Sequence, residues 1–217
     1  MISLSQVCKR YPGGHEALKD ISFTIEKGEM VFISGHSGAG KSTLLNLIAA
    51  IELPTSGSIV INGQNLSQLR PAAVPFLRRN FGLIFQDHKL LYDRSVFDNV
   101  MLPLEITGFD RSEAAKRTRA ALDKVGLLAR EKTMPIALSG GEQQRLCIAR
   151  AIVHRPAILL ADEPTGNLDS TYASEILEMF KSFNQVGVTV LIVTHDERLI
   201  ERFGERTLHL QHGVLAA

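Results

Sequence analysis

MVFISGHSGAGKSTLLNLIAAI, residues 30–51, sets an apolar run, a glycine-rich loop and an apolar-periodic stretch in direct succession. Met30 to Ile33 holds no polar residue and reads as a strand buried on both faces. Gly35 to Ser42 fits G-x-x-x-x-G-K-[ST], and its context is right: a strand before, a helix after. Gly35, Gly38 and Gly40 let the backbone curl until several N–H groups point at one anion, with His36, Ser37 and Ala39 filling the positions between. A helix read over Thr43 to Ile51, stopped before Pro54, adds its positive end. Lys41 can reach the terminal phosphates as a point charge, Ser42 offers a hydroxyl to Mg²⁺, and Thr43 can bond near the α-phosphate. A flexible turn explains the glycines but not the Lys-Ser pair that follows them.

Outward from this loop, Ile21, Phe23 and Ile25 alternate with polar residues as in a half-buried strand. Residues 55–64 read as turn, strand and turn, and 81–85 as a strand ending at Gln86. The middle changes character. Asp110 with Glu113 resembles an N-terminal cap on an amphipathic helix, and residues 138–154 form a second helix ended by Pro156. Strand patterns return at 157–162 and 188–194, around a helix from Thr171 to Val186 closed by Gly187. The pattern predicts one α/β domain over 1–217, with a core at about 1–86 and 157–217 and an α-helical insertion at about 87–156.

Bulk composition narrows the function. The 217 residues are 45% hydrophobic and 22% charged, ordinary for a globular chain, and the net charge of +1 lacks the basic excess of a nucleic-acid binder. Two distant cysteines, Cys8 and Cys147, fit a reducing compartment. No signal peptide and no membrane-spanning run is read, and the short tail predicts no added regulatory domain.

The apolar strand ILLADE delivers Asp162 to its tip, where a carboxylate can hold Mg²⁺ through water. Glu163, one residue on, is expected to point to the other face, toward an attacking water. A solvated turn before Pro164 is the plain alternative, and the phosphate loop argues against it. Two residues stay open: His195 is either a structural strand-end histidine or a γ-phosphate contact. Gln86 is either a turn residue or an amide that ligates Mg²⁺ or positions water.

LSGGEQQ, residues 138–144, poses a different problem. Ser139 and Glu142 make a capping box, which leaves Gly140 and Gly141 unexplained. Bare glycines at a helix start let a bulky anion approach the emerging N–H groups. One nucleotide does not need two such sites on one chain. Two copies facing head to tail do: the loop of one holds ATP, and the LSGG end of the other covers its γ-phosphate.

Phosphate loop, Gln86, LSGGEQQ, ILLADE, GNLD (166–169) and His195, in this order and over essentially the whole chain, resemble the ABC-transporter ATPase family. The resemblance implies a P-loop NTPase: a RecA-like core with an antiparallel β subdomain, plus the inserted helical subdomain. It implies Mg²⁺-dependent ATP hydrolysis, with Lys41, Gln86, Glu163 and His195 as catalytic residues and Ser42, Gln86 and Asp162 at the metal. Glu163 would be the general base, His195 the switch histidine, and Gln86 the lid-loop glutamine that senses metal and membrane partner. Tyr11, about two dozen residues before the loop, would stack on adenine; by itself it could simply cap a strand. Ser139, Gly140, Gly141 and Glu142 would bind nucleotide in trans, and Asp169 would link the two sites of a homodimer formed on ATP binding.

Within the family, GHSGAGKSTLL, VPFLRRNFGLIFQDHKLL, LDKVGLL and ADEPTGNLD resemble the bacterial cell-division branch. That branch implies an FtsX-like, permease-type membrane partner, activation of cell-wall hydrolases, and a peripheral place on the cytoplasmic face of the inner membrane. Lipoprotein-release and macrolide-export ATPases are the alternative branch. Leu90, Leu91, Tyr92, Phe97, Val100 and Met101 are expected to be divided between core and an apolar groove that grips a short helix of the partner. A GTPase is disfavoured by the lack of N-K-x-D, a small-molecule kinase by LSGG, and a nucleic-acid-associated ABC protein by near-neutral charge and a single cassette.

Overall fold

A computed structural model describes residues 1–166 and 168–216, with Ser170 described through its backbone alone. Asn167 of the GNLD stretch lies outside the described residues. In chain order the first elements are β1 (Ile2–Arg10), β2 (Glu16–Ile25), β3 (Met30–Ser34), α1 (Lys41–Ile48), β4 (Ser56–Ile61) and β5 (Gln64–Asn65). Then come α2 (Val74–Arg78), β6 (Phe81–Ile84), α3 (Val96–Ile106), α4 (Arg111–Lys124), α5 (Gly140–Ile152) and β7 (Ile158–Asp162). The chain closes with α6 (Ser170–Gln185), β8 (Thr189–Val193), α7 (Glu197–Phe203), β9 (Arg206–Gln211) and β10 (Val214–Leu215).

The strands form two sheets. One is antiparallel, in the order β2-β1-β4-β5; the other runs β10-β9-β3-β8-β7-β6, parallel from β9 to β6. Every residue of β3 and of β8 is buried, as the apolar runs at 30–33 and 190–193 require; the terminal Ser34 and Thr189 are buried with them. Alternation along β3 sends Met30 and Phe32 into one apolar cluster, with α3, α4, α5 and α6. Val31 and Ile33 enter a second cluster, with α1 and the antiparallel sheet. Helices α3 to α5 thus pack on one face of the large sheet. Register places Ile33, Val193 and Asp162 in line across β3, β8 and β7, so the residues just beyond them meet at one carboxyl edge of the sheet.

Two element boundaries shift for local reasons. The helix read from Thr43 begins at Lys41, directly after Gly40, whose φ of 104° turns the loop into it. It stops at Ile48 rather than Ile51 because Ala50 is left-handed (φ 53°), and the amides of Ile51 and Glu52 turn back onto Asn46 O. The cap read at Asp110 is present: its carboxylate accepts from the amides of Ser112 and Glu113. The sequence reading misses α3. Val96, Val100, Met101 and Leu104 make its buried stripe and Ser95 caps it, but Pro103 lies inside it and breaks the expected pattern.

Candidate active site

The carboxyl edge of the large sheet opens into a cavity of about 500 Å³. Its walls include His36, Ser37, Gly38, Gly40, Lys41, Ser42 and Thr43 from the phosphate loop, Gln86 from the segment after β6, Asp162 and Glu163 from the end of β7, and His195 after β8. Tyr11 lines it as well. Residues spread over more than 180 positions therefore line one space.

Two of the three loop glycines are sterically required. A Cβ on Gly35 would lie 2.1 Å from Leu210 O, and one on Gly40 would lie 2.5 Å from Ala17 O. Ala39 belongs to the loop but not to the cavity wall; its side chain is buried in the second apolar cluster. Lys41 crosses the loop, its Nζ donating to Gly35 O at 2.6 Å and His36 O at 3.1 Å. The same ammonium is 3.8 Å from Glu163 Oε1.

One expectation is corrected. Alternation along a strand would send Asp162 and Glu163 to opposite faces, yet both line the cavity. Glu163 is left-handed, with φ 47°, so the strand's two-residue period ends at Asp162 and the next side chain swings back into the same space. A non-glycine residue held there is strained, a feature that gathers at functional sites. Glu163 Oε2 is 2.9 Å from His195 Nδ1, close enough for an ion pair when the ring is protonated. The same oxygen makes no hydrogen bond among the described residues.

Asp162 Oδ1 is likewise buried without a hydrogen-bond partner among the described residues. Burial pushes the Asp162 carboxyl above its usual range, against the pull of a hydrogen bond from Ser42; the neighbouring Glu163 charge raises it further and Lys41 lowers it. An unsatisfied buried carboxylate oxygen, a serine hydroxyl and the Gln86 amide in one cavity form a hard-oxygen donor set that fits Mg²⁺.

Ser139, Gly140, Gly141, Glu142 and Asp169 do not line this cavity. Ser139 and Glu142 form the expected capping box on α5: Ser139 N donates to Glu142 Oε2 at 2.8 Å and Glu142 N to Ser139 Oγ at 3.3 Å. Asp169 caps α6, accepting from the amides of Thr171 and Tyr172. The two glycines meet no internal constraint. A Cβ on Gly140 would have nothing within 4 Å, and one on Gly141 only ordinary contacts, at 3.7 Å with Tyr172 and 3.9 Å with Leu168. Sequence reasoning missed His15 and Ala17, which also line the cavity. The Pro-Gly-Gly turn after Tyr11 was the signal for His15, since such a turn brings the chain back beside the tyrosine.

Of the six residues named for a partner groove, Leu90, Val100 and Met101 are buried in the apolar cluster, and Leu91 and Phe97 are half-buried. Tyr92 is exposed. The Tyr92 hydroxyl reaches Gln143 Oε1 at 3.4 Å, and Gln143 Nε2 donates to Pro135 O, next to the exposed Ile136. No helix among the described residues is long and apolar enough to cross a membrane.

Comparison with known proteins agrees with this geometry. The family model described as ABC transporter matches residues 18–166. The chain is 55% identical to the cell division ATP-binding protein FtsE of Escherichia coli strain K12, over 99% of this chain and 97% of that protein. It is 42% identical to the protein of the same name in Bacillus subtilis strain 168, over 99% and 94%. Among solved structures, a dimer of the ATP-binding cassette MJ0796 in a post-hydrolysis state with ADP and Pi superposes with a TM-score of 0.92 at 37% identity, covering 100% of this chain and 97% of that one. Agreement of that extent, on a cavity built from the same motifs, makes this chain a member of the ABC-transporter family, as its ATP-binding and ATP-hydrolysing subunit.

Proposed function

We propose that this ATPase works as a homodimer with an FtsX-like membrane protein on the cytoplasmic face of the bacterial inner membrane, coupling ATP turnover to cell-wall hydrolase activation. The cell-division name of the relatives supports this role, and the lipoprotein-release and macrolide-export branch is not favoured.

The loop amides and Lys41 bind the phosphates, and Tyr11 stacks on the adenine. Ser42, Gln86 and Asp162 would hold Mg²⁺, which when bound would neutralise charge on the phosphates. Glu163 polarises the attacking water through its carboxylate, and His195 orients that carboxylate and meets the γ-phosphate. Positioning and electrostatics supply most of the rate enhancement. The helical segment at about 87–156 swings against the core as the site fills, with Gln86 reporting the nucleotide state. Tyr92 and its surroundings dock a short helix of the partner.

A single observation carries the dimer reading: Gly140 and Gly141 have room for side chains within their own chain. Whatever excludes a Cβ there comes from outside, as a nucleotide on a second copy does. Mixing Lys41→Ala with Gly140→Asp tests this. Each variant alone is inactive, while a mixed dimer holds one intact site and regains phosphate release. If mixing restores nothing, the in-trans arrangement is wrong. The membrane partner is identified by affinity capture with Glu163→Gln and ATP. Capture that survives Leu91→Asp combined with Tyr92→Asp puts the docking surface elsewhere.

A further inference from the structure

The phenol of Tyr11 is anchored at both sides. Its hydroxyl donates to Glu52 Oε1 at 3.0 Å and lies 3.3 Å from Thr43 Oγ1. A phenol has one proton and the carboxylate takes it, so Thr43 is the donor in the second contact. Glu52 is itself fixed. Lys9 Nζ is 2.9 Å from its Oε2, Asn46 Nδ2 donates to its Oε1 at 3.3 Å, and its own amide donates to Asn46 O at 3.2 Å. Lys9 also donates to Leu53 O at 2.9 Å and sits 5.1 Å from the Tyr11 ring centroid. Burial alone would raise the Glu52 carboxyl, but hydrogen bonds from Lys9, Tyr11 and Asn46 more than offset it and hold the group below the usual carboxylate range.

This network joins β1, α1 and the turn after α1 at a ring that lines the nucleotide cavity. We propose that Glu52 is a positioning residue for the nucleotide base: it pins the Tyr11 ring between Lys9 and the cavity, so that the aromatic face is ordered before the purine arrives. The proposal rests on the reading of Tyr11 as the adenine platform. A free tyrosine loses rotamer freedom when a base stacks on it, and a pinned one has already lost it. Glu52 touches neither phosphate nor the reacting atoms, so its effect belongs on affinity for the base and not on turnover.

The test compares ATP with inorganic tripolyphosphate, which carries the phosphates without the base. Glu52→Ala is expected to weaken ATP binding about five- to tenfold, to leave tripolyphosphate within about twofold, and to raise KM with kcat unchanged. Glu52→Gln keeps an acceptor for the phenol and stays within about threefold of the native protein. Tyr11→Phe removes the anchored hydroxyl, and adding Glu52→Ala to it costs nothing further. Equal loss of ATP and tripolyphosphate overturns the proposal, because Glu52 then supports the phosphate loop. A normal ATP affinity in Glu52→Ala overturns it as well, provided Tyr11→Ala loses affinity. If Tyr11→Ala binds ATP normally, the adenine platform falls and this role for Glu52 falls with it.

Discussion

Replacing Glu163 by Gln keeps the side chain's shape and removes its charge. Two consequences follow, of opposite sign. The first is on turnover. The carboxylate held beside His195 is the acceptor for a proton of the attacking water, and an amide is a far poorer one. Loss of a positioned general base costs about 10²- to 10⁴-fold in rate, so kcat should fall by at least a hundredfold. The second is on binding. Glu163 Oε1 lies 3.8 Å from Lys41 Nζ, and the two side chains are only 10% and 8% exposed. At an effective dielectric constant of about 20 their gross attraction is about 4 kcal/mol. Desolvation of two buried ions offsets most of that, leaving on the order of 1 kcal/mol. Arriving phosphates must compete with Glu163 for the lysine, so the amide should tighten ATP binding about fivefold. Phosphate release gives the rate, a fluorescent ATP analogue gives the affinity, and light scattering with ATP reads the closed dimer. Hydrolysis within fivefold of the native rate, or weaker ATP binding, would falsify the assignment of this carboxylate.

Gly40→Ala combines a left-handed φ of 104° with a Cβ 2.5 Å from Ala17 O, so it should lower stability by about 2–4 kcal/mol and abolish nucleotide-dependent stabilisation, as read by thermal unfolding with and without ATP. Burial holds His154 below its ordinary value of 6.5, against a raising hydrogen bond to Phe81 O. Below about pH 6.5 the unfolded chain therefore takes up the proton first. Stability is full above that pH and is lost as pH falls toward the folded-state value; urea midpoints at pH 7.5 and 5.5 should differ more for the native protein than for His154→Gln. Burial pushes the Cys147 thiol up to about 12, so iodoacetamide at pH 8 should label Cys8 in the native protein, and Cys147 only after unfolding, by peptide mass spectrometry.

Reading along the chain reached the catalytic strand-loop-helix, the capped α5 and the two buried strands that flank the site, because each is a local matter. A phosphate cradle needs glycines, a lysine and a hydroxyl within eight residues, and a capping box needs two polar groups three residues apart. Backbone geometry over so short a span is settled by the residues in it. A strand buried on both faces also declares itself, since its interior positions form an unbroken apolar run.

What lay beyond the sequence was set by contacts between distant segments. Strand alternation argues that Asp162 and Glu163 diverge; tertiary packing holds Glu163 left-handed and turns both into one cavity. Helix α3 carries an interior proline that local propensity alone reads as a break, and it persists because its apolar stripe is buried against α4 and α5. Leu90, Val100 and Met101 look equally available for a partner until the fold buries them. The pairing of Glu52 with Tyr11, forty-one residues apart, follows only once β1 and the end of α1 are brought together. Such contacts depend on which surfaces the whole chain can bury at once, and no window of sequence contains that information.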